Sequence, residues 1–285
     1  LGIEIAIDLK GFTEDARTGI FANRAAPTQI NYLGYPGTMG ADYIDYIIAD
    51  KIVIPEESQQ FYTEKVLYLP NCYQPNIRTR KVSEKEISRK DVGLPEDVTI
   101  YCSFNNIYKI TPDMFSIWLE ILKSVESSVL WILCTSDTAK HNLIQFANSH
   151  GVDSSRIVFA PHMPIEEHLK RLSIADVFLH TYPCNAHTTA SDSLRMGVPI
   201  VTLAGESFAS RVAASILSAV GMSELIVDNP ENYKSLAIRL GADKDYLKTV
   251  KHELKSNLSE SSLFDSVTFT KDLENIFESL ISSQK

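Results

Sequence analysis

The segment Thr181–Thr202, TYPCNAHTTASDSLRMGVPIVT, decides how this chain must fold. The apolar run 175–179 before it predicts a buried strand, and residues 198–203 predict a second strand. Between them lie a polar turn and a short amphipathic helix, expected over about residues 189–196. A strand, a polar loop and a helix start together present free backbone N–H groups to an anion. Because residues 187–189 lie where these groups would point, a phosphate is the expected ligand.

Length, composition and charge limit the possible classes of function. A chain of 285 residues with 44% apolar residues is long enough for one large or two medium α/β domains. Its 36 acidic and 27 basic residues give a net charge of −9, which argues against a general nucleic-acid or membrane-surface binder. The sequence contains no evident signal peptide and no apolar stretch of membrane-spanning length. We therefore expect neither nucleic acid nor membrane among its partners.

The cysteines give information about compartment and metals. They are scattered, and none forms a CxxC or a Cys/His pair with zinc spacing: Cys72, Cys102, Cys134 and Cys184. Buried free thiols in a reducing compartment are the simplest interpretation, so we expect a cytoplasmic protein without a metal site. The chain begins at Leu1, without a methionine and directly on a predicted strand, and we expect that further sequence precedes it.

Two series of βα units, joined by a polar linker, are predicted along the chain. Residues 1–75 alternate short strands with turns and include a helix for which Thr13 is the expected N-cap. Residues 76–95 are polar without apolar periodicity, which is typical of a linker. Residues 96–255 alternate strands with amphipathic helices, and residues 256–285 form a helical C-terminal segment. Two facing Rossmann-like lobes are therefore expected, with the ligand in the cleft between them.

Four side chains near strand ends or helix starts suit the chemistry of a nucleotide ligand. Lys109, in FNNIYKITP, is a cation that can neutralise a diphosphate leaving group as a glycosidic bond breaks. His168 can stack on a base, with Arg171 on the same helix face to hydrogen-bond it. Asp192 lies one turn into the short helix expected over about residues 189–196, and its carboxylate suits ribose hydroxyls. Each position also has an ordinary structural interpretation, such as a solvated lysine or an exposed helix histidine, and position alone leaves these alternatives open.

Longer segments resemble a known family. In chain order, INYLGYPGTMGADYIDYIIAD, GLPEDVTIYCSFNNIYKITPDMF, SSVLWIL, EEHLKRLSIADVFLHT, CNAHTTASD and GESFASRVAAS look like the catalytic region of the protein O-GlcNAc transferases, glycosyltransferase family 41. The resemblance implies an α/β fold of the GT-B type, with two Rossmann-like lobes of which the N-terminal one is incomplete. Its last helix, within residues 256–285, would return toward that lobe. It also implies inverting transfer of GlcNAc from UDP-GlcNAc to Ser or Thr hydroxyls of an acceptor protein, without a metal or other cofactor.

The resemblance also implies roles for individual residues. Lys109 would contact the donor diphosphate and be needed for turnover. Asn106 stands where the animal enzymes have glutamine, and Ile165 replaces a lysine that contacts ribose, so donor contacts there are expected to differ. The implied substrate-binding residues are Asn106 and Tyr108 beside Lys109; the Met163 backbone, His168 and Arg171 at the uracil; Ile165 and Asp192 at the ribose; Cys184 near the sugar; and His187, Thr188 and Thr189 at the phosphates.

Departures from the family pattern leave alternatives open. The Asp-Phe-x-x-His-Pro motif, proposed in the family for acceptor handling and proton transfer, is not found and is expected upstream of residue 1. The tetratricopeptide repeats that grip the acceptor are expected there too. Residues 187–189, His-Thr-Thr, favour a UDP-sugar over the GDP-fucose that a plant branch uses. The remaining alternatives are a UDP-glucose-dependent N-glycosyltransferase of the same family and a truncated UDP-binding module without catalysis.

Overall fold

The computed structural model describes residues 2–282, which divide into two compact units. Unit 1 contains the chain up to Arg78, the segment Glu206–Ala219 and the chain from Ser261 onward. Unit 2 contains Thr79–Gly205 and Val220–Glu260. Within the described part of the chain, no helix is both long and apolar enough to cross a bilayer.

Strands and helices alternate along both units. The strands, in chain order, are β1 (Ile5–Asp8), β2 (Thr28–Asn31), β3 (Tyr46–Ala49), β4 (Lys65–Tyr68), β5 (Thr99–Ser103), β6 (Ser128–Leu133), β7 (Ile157–Ala160), β8 (Val177–Leu179), β9 (Ile200–Leu203) and β10 (Ile226–Val227). The helices are α1 (Thr18–Ala22), α2 (Pro112–Ser124), α3 (Asp137–Ser149), α4 (Ile165–Leu172), α5 (Thr188–Arg195), α6 (Val212–Ala219), α7 (Pro230–Ala242), α8 (Lys244–Glu260) and α9 (Ser266–Ser282).

The unit boundaries differ from the expected lobes in where Glu206–Ala219 belongs. The expected second lobe, residues 96–255, ran without interruption, whereas this segment is part of unit 1. The Ser215 hydroxyl donates to the buried Asp50 carboxylate over 2.6 Å. The Phe208 ring also packs edge-on against Tyr73, with ring centroids 4.9 Å apart. Amphipathic periodicity predicts a helix but does not say which sheet the helix covers, so the sequence placed this segment in the wrong series.

In unit 1, four parallel strands pair in chain order, β1-β2-β3-β4. The helix expected after Thr13 is shorter than predicted, and its N-cap residue is Arg17. Asp15 has a φ of 59°, in the left-handed region, which a continuous right-handed helix does not tolerate. The Thr13 hydroxyl therefore donates to the Lys10 carbonyl oxygen, at 2.8 Å, in a turn before α1.

In unit 2, six parallel strands pair in the order β10-β9-β8-β5-β6-β7. From β5 the chain first adds β6 and β7 on one side and then returns to add β8, β9 and β10 on the other. The strand order therefore reverses between β5 and β8, and ligands of open α/β sheets bind at the carboxyl ends of strands at such a switch point. Residues 104–109 follow β5 and residues 180–187 follow β8, which positions these two loops for binding.

Helix α2 shows how local sequence fixes the frame of unit 2. The Thr111 side chain caps the helix by accepting from the Met114 N–H, and Pro112 occupies the first turn, as predicted. The helix buries Trp118, whose indole N–H donates to the Tyr233 hydroxyl at 3.2 Å. That hydroxyl donates in turn to the His180 carbonyl oxygen at 3.1 Å, at the end of β8. A buried polar chain therefore connects the core to the start of the loop after β8.

Candidate functional site

The loops after β5 and β8 are joined by a lysine. Lys109 ends a single 3-10 turn, Ile107–Lys109, and its Nζ donates to the Asn185 carbonyl oxygen at 2.8 Å. The loop after β8 is folded on itself, because the Thr181 hydroxyl donates to the Cys184 carbonyl oxygen and the Asn185 amide donates back to the Thr181 carbonyl oxygen. The tertiary structure thus brings Lys109 beside the loop that leads into α5.

A fully buried histidine, His180, fixes the end of this loop. Its Nε2 accepts from the Ala186 N–H at 2.6 Å, and its Nδ1 lies 2.8 Å from the Thr202 hydroxyl on β9. Burial lowers the pKa of His180 to about 3, with a further contribution from the charge of Lys109. The imidazole is therefore neutral and positions the residue directly before His187. Sequence reasoning missed His180, although a histidine that immediately follows a buried strand was a signal.

The start of α5 has the properties of an anion site. His187 is its N-cap residue, and the His187 Nε2 is buried with no hydrogen-bond partner among residues 2–282. Burial, and then the charge of Lys109, lowers the pKa of His187 to about 4. Thr188 and Thr189 form the first turn, and their N–H groups find no backbone acceptor in the described part of the chain. Free N–H groups, a neutral imidazole and a nearby ammonium group can together hold a phosphate.

Asp192, one turn further along α5, is already paired. It is only 4% exposed, and its Oδ1 accepts from Nη1 of Arg80. Burial raises the pKa of the Asp192 carboxyl, and the charges of Arg80 and Arg195 act in the opposite direction. Arg80 lies in the predicted linker and was not predicted as a site residue. A basic run in an acidic chain, with Arg80, Lys81 and Lys85, was the signal for it.

His168 and Arg171 form a second group, on α4. The Arg171 Nε donates to the His168 Nδ1 at 3.1 Å, and Nη1 donates to the Pro161 carbonyl oxygen at 2.6 Å. Arg171 is 1% exposed and lies over the Phe104 ring, 4.9 Å from its centroid. Burial, and then the charge of Arg171, lowers the pKa of His168 to about 4. His168 is therefore a half-buried neutral imidazole with its proton on Nε2, and the simple interpretation of an exposed helix histidine does not hold.

The other expected site residues have fewer contacts. Tyr108 is 77% exposed and receives a hydrogen bond from the Asn106 amide at 3.1 Å. Ile165 opens α4 and is 45% exposed, and Met163 just before it is half-buried. The Cys184 Sγ lies 3.9 Å from the Asn185 carbonyl oxygen. These contacts assign no role to the five residues.

Among residues 2–282, no group of three His, Cys, Asp or Glu side chains is placed to hold a metal ion.

Comparisons with known proteins give the family. The sequence model of glycosyl transferase family 41 matches residues 1–76 and 78–273. A protein from Arabidopsis thaliana, named probable UDP-N-acetylglucosamine–peptide N-acetylglucosaminyltransferase SEC, is 38% identical over 96% of this chain and 29% of its own length. The UDP-N-acetylglucosamine–peptide N-acetylglucosaminyltransferase of Caenorhabditis elegans is 29% identical over 96% of this chain and 34% of its own length. The chain thus spans about a third of the length of these relatives.

A solved structure agrees in fold. A mutant O-GlcNAc transferase from Thermobaculum terrenum superposes with a TM-score of 0.89 at 29% identity, covering 97% of this chain and 52% of that one. The fold is therefore α/β of the GT-B type, as predicted. From the family match over nearly its whole length, together with these similarities, the chain belongs to glycosyl transferase family 41.

Proposed function

We propose that this chain carries the donor-binding machinery of an inverting, metal-independent protein O-GlcNAc transferase, which moves GlcNAc from UDP-GlcNAc to Ser or Thr hydroxyls. One observation carries the proposal: Lys109 meets the loop that leads into α5 at the switch point of the unit 2 sheet. The relatives named as UDP-N-acetylglucosamine–peptide transferases support this donor and this acceptor. In the full-length protein, tetratricopeptide repeats would grip the acceptor. Free cysteines fit a cytoplasmic location.

In the proposed reaction, the acceptor hydroxyl oxygen forms a bond to C1 of the sugar and loses its proton to a base. The bond from C1 to the diphosphate oxygen breaks, its electron pair stays on the phosphate, and UDP leaves. Negative charge therefore grows on the diphosphate in the transition state. Lys109 and the free N–H groups of Thr188 and Thr189 stabilise that charge without moving far. The neutral His187 Nε2 adds one hydrogen-bonding atom that the folded chain leaves unused.

The nucleoside would lie toward α4. His168 is neutral and half-buried, so its ring can stack on uracil without the cost of desolvating a cation. Arg171 holds the ring orientation through the His168 Nδ1, and the Asp192 carboxylate offers an oxygen to the ribose hydroxyls. We therefore assign α4 to the base and α5 to the ribose and phosphates.

UDP binding, measured by calorimetry on the complete 285-residue chain, tests the proposal. We expect binding by the unaltered chain and a loss of affinity of about tenfold or more for Lys109→Ala and for His168→Ala. Lys123→Ala, which removes an exposed lysine from the last turn of α2, is the matched control and should bind like the unaltered chain. No UDP binding, or binding unaffected by both site variants, would contradict the proposal.

Transfer is tested separately, by mass spectrometry of an acceptor peptide incubated with UDP-GlcNAc or UDP-glucose. We expect an N-acetylhexosamine increment on Ser or Thr. A hexose increment on Asn would identify the N-glycosyltransferase alternative. UDP binding without any transfer by the chain would support the non-catalytic module instead.

A further inference from the structure

Residues 79–92, here named the strap, lie against α4 although they were predicted as a free linker. The Ser83 N–H donates to the Glu166 carbonyl oxygen in the first turn of α4 at 3.1 Å. One turn later, the Lys170 Nζ pairs with the Glu86 carboxylate at 3.3 Å. The strap and α4 also border a cavity of about 470 Å³ that extends to Met163. The strap is therefore a fixed wall beside the residues assigned to the nucleobase.

At its beginning, the strap reaches α5 through Arg80. The Arg80 Nη1 donates to the Asp192 Oδ1, and this is the only hydrogen bond of that guanidinium among residues 2–282. Arg80 is close enough to lower the pKa values of His168 and Arg195 by its charge. Its guanidinium therefore contacts Asp192 of α5 and lies near His168 of α4.

Hydrogen-bonding capacity is left unused on both partners of this ion pair. A guanidinium carries five N–H donors, and Asp192 takes one of them. The Asp192 Oδ2 accepts no hydrogen bond from the described part of the chain, although the carboxylate is almost completely buried. The Arg80 side chain is 29% exposed, so its unused N–H groups are open to solvent, and together with the unused Asp192 oxygen they are available to a ligand beside the expected anion site.

We propose that Arg80 is a nucleotide-binding residue: Asp192 Oδ1 holds its guanidinium, whose remaining N–H groups bind the donor diphosphate, while Asp192 Oδ2 stays available to the ribose. This inference rests on the proposed function, since it takes a nucleoside diphosphate as the ligand. The planar guanidinium fork matches phosphate oxygens, and the carboxylate behind it limits its rotation. Arg80 thus adds a second positive charge for the diphosphate, besides that of Lys109.

Calorimetry with UDP and with uridine, which has the same base and ribose but no phosphate, tests the inference. We expect Arg80→Gln to weaken UDP binding about tenfold and to change uridine binding little, because only the phosphate contact is lost. Arg80→Lys should restore part of the UDP affinity. Lys81→Gln is the matched control, since it removes the neighbouring charge of the strap, an exposed lysine that pairs with Glu166, and should leave UDP affinity unchanged.

The possible results separate the inference from the proposed function. Equal or tighter UDP binding by Arg80→Gln, with the unaltered chain binding normally, would overturn the inference alone, because Arg80 would then only cover an empty site. Equal losses for UDP and uridine would overturn the diphosphate contact. If the unaltered chain does not bind UDP, the proposed function fails and the inference fails with it. Thermal unfolding checks that the variants fold. If Arg80→Gln does not fold, Arg80→Lys, which keeps the charge, is compared with the unaltered chain instead, and equal UDP affinity of the two would contradict a bond from the guanidinium fork.

A double-mutant cycle with Asp192→Asn tests whether Asp192 orients the Arg80 guanidinium. If Asp192 orients the guanidinium, the effects of Arg80→Gln and Asp192→Asn on UDP affinity are less than additive. Additive effects would overturn the assignment of Asp192 as the residue that holds Arg80.

Discussion

Unit 1 and unit 2 each bury an aspartate, and the two carboxylates are used in opposite ways. Asp50 in unit 1 is 1% exposed and accepts four hydrogen bonds, from the N–H groups of Ile52, Val53 and Tyr73 and from the Ser215 hydroxyl. Asp192 in unit 2 is 4% exposed and accepts one, from a side chain of the strap. The four bonds of Asp50 hold parts of unit 1 together, whereas Asp192 keeps an oxygen that the proposed function assigns to the ligand.

Two histidines of unit 2 repeat the contrast within a few residues. Both ring nitrogens of His180 are engaged by the chain, at Ala186 and Thr202. The Nε2 of His187 is buried and has no partner among residues 2–282. Hydrogen-bond satisfaction therefore distinguishes His180, which holds the loop after β8, from His187, whose Nε2 the proposed function assigns to the ligand.

The largest expected effect is the difference in stability between substitutions of Asp50 and of Asp192. Asp50→Ala should lower the free energy of unfolding by roughly 3 kcal/mol or more, because it leaves four buried or partly buried donors without this acceptor. Asp192→Asn should change the free energy of unfolding by no more than about 1 kcal/mol and weaken UDP binding about tenfold. Urea unfolding and calorimetry measure the two quantities on each variant. A larger loss of stability for Asp192→Asn than for Asp50→Ala would contradict the contrast between the two carboxylates.

An intermediate effect on stability is expected when His180 is compared with His187. His180→Ala should lower the free energy of unfolding by about 2 kcal/mol, since the Ala186 N–H and the Thr202 hydroxyl lose their partner in the core. His187→Ala should leave the urea midpoint nearly unchanged and reduce UDP affinity. Equal destabilisation by both substitutions would show that satisfaction of the ring nitrogens does not distinguish the two roles.

The last expected effect is a dependence of stability on pH. The folded chain holds the pKa of His168 and His187 at about 4 and that of His180 at about 3, against an ordinary value of 6.5. Between these values the unfolded chain binds protons that the folded chain does not, so stability is fully present above pH 6.5 and falls as the pH falls.

Thermal unfolding at pH 7.5 and at pH 5 measures this dependence, and we expect a midpoint lower by roughly ten degrees at pH 5. His187→Gln should reduce the difference. His141→Gln, on the exposed side of α3, is the matched control and should preserve it. A midpoint that is the same at both pH values would contradict the burial of three neutral histidines.

Much of the fold could be predicted from local pattern. The segment 181–202, the N-cap at Thr111 and the alternation of strands and helices follow from periodicity and capping, which are properties of neighbouring residues. The segment Glu206–Ala219 was assigned to the wrong series and Thr13 to the wrong helix start. Both errors concern features that periodicity does not encode, namely the packing partner of a helix and a single left-handed residue.

Sequence by itself determined the family, predicted helix α5 and identified the candidate residues Lys109, His168, Arg171 and Asp192, because these lie in motifs whose letters are contiguous. Only the tertiary structure decided which of them have unused hydrogen-bonding capacity. It also brought Arg80 against Asp192 across 112 positions of the chain. Burial and hydrogen-bond satisfaction are set by residues distant in sequence. Local sequence therefore predicts a linker for the strap, and only the folded chain shows its contacts with α4 and α5.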